Sequence, residues 1–298
     1  MRPPANELGD TRSGLFFALA AYGIWGIAPI YFVWVSFAQP LEVVAHRVVW
    51  GIPLLGLLLL ASGQWRSIKS LAPSAFGYLL VSALCLSINW LTFIYAVQTE
   101  RIAEASLGYF INPLVSIVLG WLFLREQLRP LQWLAVALAL VGVCSELWVR
   151  TNLPWLGLTL ALSFGLYGLL RKQVNVGAVV GLSIETAVVA PFAIGFLFWL
   201  SLQGDARDLG AVLSLGLGGL ITVVPLICFA AAAMRLPLTT LGFVQYLSPS
   251  CALMLAIFVY GEVVPAGRWV TFALIWGALI LFSFEGFYRY RKQRQRPE

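Results

Sequence analysis

Ten runs of predominantly apolar residues follow one another along the chain, broken only at charges and at Pro- or Gly-containing gaps. They cover about 14–36, 41–61, 73–98, 103–124, 130–149, 154–171, 178–201, 210–234, 239–260 and 267–287. A helix needs roughly 20 such residues to cross the hydrocarbon core of a bilayer, where every backbone N–H and C=O must be satisfied within the segment. The gaps are too short for an extramembrane domain. A membrane β-barrel would show segments of about ten alternating residues, whereas these runs are continuously apolar. The expected fold class is an all-α integral membrane protein with ten transmembrane helices.

Composition excludes the competing classes. Charged residues make up 11% of the 298, against about a quarter in an ordinary globular protein. With 60% apolar residues and a mean hydropathy of +0.88, neither a soluble surface nor a disordered chain is possible. The net charge of +6 suggests nucleic acid, but the basic residues are placed otherwise. Five sit in a C-terminal tail (Arg289, Arg291, Lys292, Arg294, Arg296), and most others lie in gaps between runs, where they orient membrane helices. Cys85, Cys144, Cys228 and Cys251 all lie in apolar runs with no CxxC spacing, and His46 is the single histidine. No disulfide framework, metal site or cofactor is expected. Ala18-Leu19-Ala20 resembles a leader cleavage site, but only about four apolar residues precede it, short of the 7–15 that a leader core needs. The first run therefore reads as a retained helix.

With both termini in the cytoplasm, the inner segments hold fourteen Lys and Arg and the outer ones four, Arg101, Arg150, Arg207 and Arg268. That is the asymmetry of the positive-inside rule. An internal repeat is also visible. Pro113, Glu126 and Trp133 recur with the same spacings as Pro249, Glu262 and Trp269. Tyr22-Gly23-Ile24-Trp25-Gly26 of the first run matches Phe164-Gly165-Leu166-Tyr167-Gly168 of the sixth. Five runs per copy is an odd number, so the second copy enters the membrane from the opposite side. Inverted repeats of this kind are a recurrent plan of secondary transporters, with solute held between the halves.

The stretches Tyr22–Phe32 (YGIWGIAPIYF), His46–Trp50 (HRVVW), Asn89–Val97 (NWLTFIYAV), Glu104–Gly120 (EASLGYFINPLVSIVLG), Leu238–Pro249 (LTTLGFVQYLSP) and Thr271–Trp276 (TFALIW) resemble the drug/metabolite transporter superfamily. Within it, the chain is most similar to RarD-type proteins, named for chloramphenicol sensitivity. The resemblance implies two five-helix EamA repeats, 14–149 and 154–287, with cytoplasmic tails 1–13 and 288–298. It further implies a multi-pass carrier of the bacterial inner (plasma) membrane working by alternating access, in a superfamily whose members export amino acids, aromatic ones included, and other small metabolites.

Several residues invite two readings. Glu185, about seven residues into its run, is costly in hydrocarbon unless paired or wetted; it is either a substrate-amine or proton site or a structural group between helices. Arg47 is a clamp for a substrate carboxylate, or a tie between helix ends. His46, one turn after Glu42, is a proton carrier or an interface group. Asn112-Pro113 and Ser248-Pro249 occupy matching places, and proline frees a backbone carbonyl, so Pro113 and Pro249 are paired hinges or static kinks. Trp25, Asn89, Trp90, Tyr109, Asn112, Tyr167, Gln245 and Tyr246 are cavity candidates, with Trp25, Tyr109, Tyr167 and Tyr246 expected around one chamber. Most other aromatics read as packing or interface anchors. Gly51, Gly56 and Gly120 read as close helix contacts, and Glu126 and Glu262 as helix caps.

The leading function is a secondary carrier for a small amphipathic solute, with the lipid bilayer as its environment and a monomer or homodimer as its state. A passive facilitator is the alternative. An integral-membrane enzyme lacks a metal cluster, nucleophile–base pair or carboxylate dyad in this sequence, and an ATP-driven pump lacks the phosphate-binding loop.

Overall fold

The computed structural model describes residues 5–99, 101–148, 154–174, 176–204, 207–261, 264 and 266–294; Arg2, Arg150, Glu262 and Arg296 lie outside them. Every element among the described residues is helical. The first half comprises α1 (Ala5–Trp34), α2 (Pro40–Ala61), α3 (Trp65–Lys69), α4 (Pro73–Gln98), α5 (Ile102–Phe123) and α6 (Pro130–Trp148). The second comprises α7 (Trp155–Gln173), α8 (Ala178–Leu202), α9 (Leu209–Arg235), α10 (Leu238–Gln245), α11 (Leu247–Phe258) and α12 (Ala266–Arg294). Eight candidate spans are long and apolar enough to cross a membrane, the one at Leu238–Phe258 combining α10 and α11, and Pro130–Glu146 is a shorter apolar helix. Helix α7 ends in Arg171 and Lys172, which dilute its apolar stretch.

Three boundaries differ from the sequence expectation. Helix α1 begins at Ala5 rather than near 14, and α12 continues through the expected tail to Arg294; charge ends an apolar run but not a helix. The ninth run is broken at Tyr246. The short α3 falls in a gap that held no apolar run.

Local chemistry sets the ends. Pro40 and Pro73 start α2 and α4, where a missing N–H costs nothing. Asp208 caps α9 by accepting from Ala211 N at 2.8 Å. Other ends are closed by distant side chains. Glu126, in the α5–α6 connection, accepts from the backbone N–H groups of Leu238 (2.6 Å) and Thr239 (2.8 Å) at the start of α10. Glu104 accepts from Leu156 N at 3.0 Å at the start of α7. Lys172 donates to the Leu236 carbonyl at 2.5 Å, just past the end of α9. Each carboxylate meets a positive helix start and the lysine a negative end, so capping and tertiary packing are the same bonds.

The helices of the first half pack mainly on those of the second. Helix α1 lies on α9 and α11, α2 on α8 and α9, α4 on α7 and α8, and α5 on α7 and α10. Helices α6 and α12 pack on each other, joined by Arg129–Glu285 (2.8 Å) and Arg268–Glu146 (3.5 Å). Close crossings depend on small residues, as expected where lipid offers no hydrophobic drive to association. A Cβ on Gly219 would stand 2.8 Å from the Trp50 backbone, on Gly242 2.7 Å from the Pro113 carbonyl oxygen, and on Gly26 2.5 Å from Cys251 Cβ. Gly51 and Gly120 also face close neighbours, Val223 at 3.2 Å and Leu238 at 3.1 Å. Gly56 does not, for nothing lies within 4 Å of its Cβ position.

This difference predicts opposite signs for one substitution. Gly219→Ala should force α2 from α9 and cost about 1–3 kcal/mol by overpacking. Gly56→Ala should stabilise by about 0.5–1 kcal/mol through helix propensity. Thermal unfolding of both variants in detergent checks this, and a shift of the same sign in both contradicts the packing described.

Candidate functional site

A narrow cavity of about 10 Å³ lies between α2, α4, α8 and α9, room for about one water. Its walls include Arg47, Trp90, Glu185 and Thr222, with Leu86 and Val223 among the apolar residues. Arg47 lies seven residues into α2 and Glu185 seven into α8, each about 10 Å along its helix at a rise of 1.5 Å per residue. The two charges at membrane depth therefore share one cavity, and their surroundings are opposite in kind.

Glu185 is saturated by protein. Arg171 Nη1 stands 3.6 Å from Oε1, with both side chains almost fully buried, at 0% and 1% exposure. The Ser82 hydroxyl donates to Oε1, and the Tyr167 hydroxyl donates to Oε2 at 3.3 Å. Arg171 Nη2 donates to the Val176 carbonyl at 3.4 Å, while Nε and Nη1 have no hydrogen-bond partner. Gly181 makes room for it, since a Cβ there would be 1.8 Å from Nη1. Burying two charges costs several kcal/mol each, which only close pairing offsets. Arg171 is one of the fourteen basic residues counted to the inner segments, and that count does not reveal this pair. A signal existed: Tyr167 and Arg171 are one turn apart on α7, Gly181 and Glu185 one turn apart on α8, and an intramembrane carboxylate requires a cation.

Arg47 is positioned but not neutralised. Its Nε donates to Thr222 Oγ1 at 2.6 Å, and that hydroxyl donates to the Gly218 carbonyl at 2.7 Å. The guanidinium lies 5.3 Å from the Trp90 ring and 5.5 Å from that of Phe32, distances suited to cation–π attraction. Its Cγ packs where a Cβ on Gly218 would sit, 2.7 Å away. Among the described residues no carboxylate pairs with it. Tyr109, on α5, is 49% exposed and is not among the residues that line the cavity.

The other candidates lie in helix contacts. Trp25 and Tyr167 converge on Phe229 of α9 at 6.0 and 5.6 Å, and Tyr167 and Tyr246 have no exposed surface. They do not line the cavity that Arg47 and Glu185 share. Asn89 ties α4 to α7, donating to Leu160 O (2.9 Å) and Ser163 Oγ (3.1 Å). Tyr246 donates to the Phe110 carbonyl at 3.3 Å, and Gln245 accepts from Ser116 at 3.4 Å, so both brace α5 around Pro113. Helix α5 runs unbroken through Pro113, whereas Pro249 follows the break at Tyr246. Asn112 Oδ1 and His46 Nδ1 are buried without a hydrogen-bond partner. Glu42, beside His46, is held by Arg207 through two bonds of 2.9 and 2.8 Å. No group of His, Cys, Asp or Glu among the described residues could hold a metal.

Residues 12–145 match the EamA-like transporter family. The chain is 46% identical to the protein RarD of Escherichia coli over 95% of its length and 98% of the relative's. It is 45% identical to an uncharacterized transporter of Vibrio cholerae, over 93% of this chain and 94% of the other. Against the chloramphenicol-sensitive protein RarD of Pseudomonas aeruginosa it is 33% identical, over 95% and 97%. A solved crystal structure superposes with a TM-score of 0.70, covering 91% of this chain and 96% of the other at 17% identity, a likeness of fold alone. Apolar helices, interlocked halves and full-length relatives agree, and the chain belongs to the RarD-type proteins of the EamA-like transporter family, within the drug/metabolite transporter superfamily.

Proposed function

We propose that this membrane transporter is a secondary carrier that moves small amphipathic solutes, aromatic amino acids among them, outward across the bacterial plasma membrane by alternating access. The carrying observation is the cavity whose two charges differ: Arg47 open on one flank, Glu185 sealed by Arg171, Ser82 and Tyr167 on the other. Such a path is open toward one face and closed toward the other, with the closure built from breakable polar contacts.

The reading takes the chain as ten crossings in two inverted repeats, 14–149 and 154–287, with both termini cytoplasmic. Packing supports it. Exchanging α1, α2, α4, α5 and α6 for α7, α8, α9, the α10–α11 pair and α12 converts the α1–α9 contact into α7–α4, α1–α11 into α7–α5, and α2–α9 into α8–α4. The α2–α8, α5–α10 and α6–α12 contacts map onto themselves. A bundle with this pseudo-symmetry can rock one half on the other about a fixed solute site. In this orientation Arg47 lies nearer the outer face and Glu185 nearer the cytoplasm. Glu185 and His46 are the titratable groups available for proton coupling, Pro249 at the α10–α11 break serves as hinge, and a monomer or homodimer carries one small-molecule solute per cycle.

Two outcomes follow. Proteoliposomes preloaded with unlabelled amino acid should transiently accumulate the labelled form above equilibrium, because a carrier exchanges one solute for another. Simple equilibration for every solute in an aromatic and aliphatic panel contradicts the carrier and favours a passive facilitator. The inner closure is tested through stability: Glu185→Met leaves Arg171 uncompensated and should cost about 3–5 kcal/mol, while Arg171→Met with Glu185→Met should recover most of it. Additive losses in the double variant, measured by unfolding in detergent, contradict a coupled pair.

A further inference from the structure

The uncommitted edge of Arg47 defines a ligand chemistry. Its stem is fixed against Gly218, its Nε is taken by Thr222, and two aromatic rings stand by its guanidinium. What remains is the Nη1–Nη2 edge, which makes no hydrogen bond to the described residues. Four helices, α1, α2, α4 and α9, thus hold a guanidinium on a side chain that lines the cavity. A planar fork of two parallel N–H donors matches two carboxylate oxygens. In a largely apolar surround an unpaired cation gains most from an anion that leaves net neutrality.

We infer that Arg47 is the docking point for the carboxylate of the transported solute, with Trp90 flanking its apolar or aromatic remainder. The ligand class is therefore small monocarboxylates bearing an apolar or aromatic group, monoanions ahead of zwitterionic amino acids. One uncompensated cation balances one negative charge, so a phosphate dianion is rejected. The inference rests on the carrier reading above and deepens it.

Probes of one shape and different charge separate the possibilities. Purified full-length protein is titrated with 3-phenylpropionate, L-phenylalanine, 3-phenylpropionamide and phenyl phosphate, reading thermal stabilisation, which follows ligand binding by mass action, together with tryptophan fluorescence. The two carboxylates should stabilise the parent protein in a dose-dependent way, and the amide and the phosphate should not. Arg47→Gln should abolish the carboxylate effect. Arg47→Lys, which keeps the charge and so protects the fold, should weaken carboxylate binding by about tenfold or more through loss of the bidentate fork. Trp90→Ala should weaken it by several-fold. The inference is overturned if neither carboxylate stabilises the parent, if amide and carboxylate act alike, or if Arg47→Lys binds as the parent does. Counterflow in Arg47→Gln distinguishes the two levels: undiminished exchange of a carboxylate overturns the inference and leaves the carrier standing, whereas a parent protein that exchanges no solute removes the carrier reading itself.

Discussion

A charge inside hydrocarbon has no water to fall back on, and the two arginines of this cavity region answer that constraint in opposite ways. Arg171 is fully buried, finds Glu185 at 3.6 Å and gives up its hydration to a protein-made network. Arg47 leaves two nitrogens without a hydrogen bond to the described residues and takes only a hydroxyl and two aromatic rings. Pairing Arg47 internally would have produced a second static staple. Leaving it unpaired costs stability, and that cost is offset only where water or an anionic solute reaches it. The contrast separates a charge committed to the protein from one left without a charged protein partner.

The packing makes both environments possible. Gly218 and Gly219 bring α9 against α2 so closely that the Arg47 stem and the Trp50 backbone occupy the space of two side chains. Gly181 does the same for Arg171. Long-range caps then fix the helix ends: Glu126 on α10 and Glu104 on α7 link the two halves, and Lys172 closes the end of α9 within the second. The halves are therefore joined by discrete polar contacts and small-residue crossings, the kind of interface that supports two alternative arrangements rather than a continuum.

Eight of the ten expected spans are long and apolar enough to cross, and they were legible because hydrocarbon thickness imposes a run length that composition shows directly. Trp25 and Tyr167 could be paired by their matching sequence context, but their place could not be read. Both converge on Phe229, an ordinary apolar residue of α9 that no motif distinguishes. Arg47 and Glu185 were visible as charges out of place. Arg171 was not, since a basic residue near a helix end looks the same whether it points to the cytoplasm or into the bundle. The break at Tyr246 was equally hidden: Pro113 and Pro249 occupy matching positions, yet α5 absorbs its proline while Tyr246 and Gln245 of the other half brace it. Which of two similar helices yields depends on its neighbours and not on its own sequence.

The central claim is that one cavity is open beside Arg47 and shut beside Glu185. Accessibility of Trp90→Cys, a position that lines the cavity, in a background lacking Cys85, Cys144, Cys228 and Cys251, tests it directly with an impermeant maleimide applied to either side of oriented vesicles. The account predicts labelling from the outer side in the otherwise unaltered protein, and added labelling from the cytoplasmic side once Arg171 and Glu185 are both replaced by methionine. Equal labelling from both sides before that replacement, or no gain from the cytoplasmic side after it, would contradict the account.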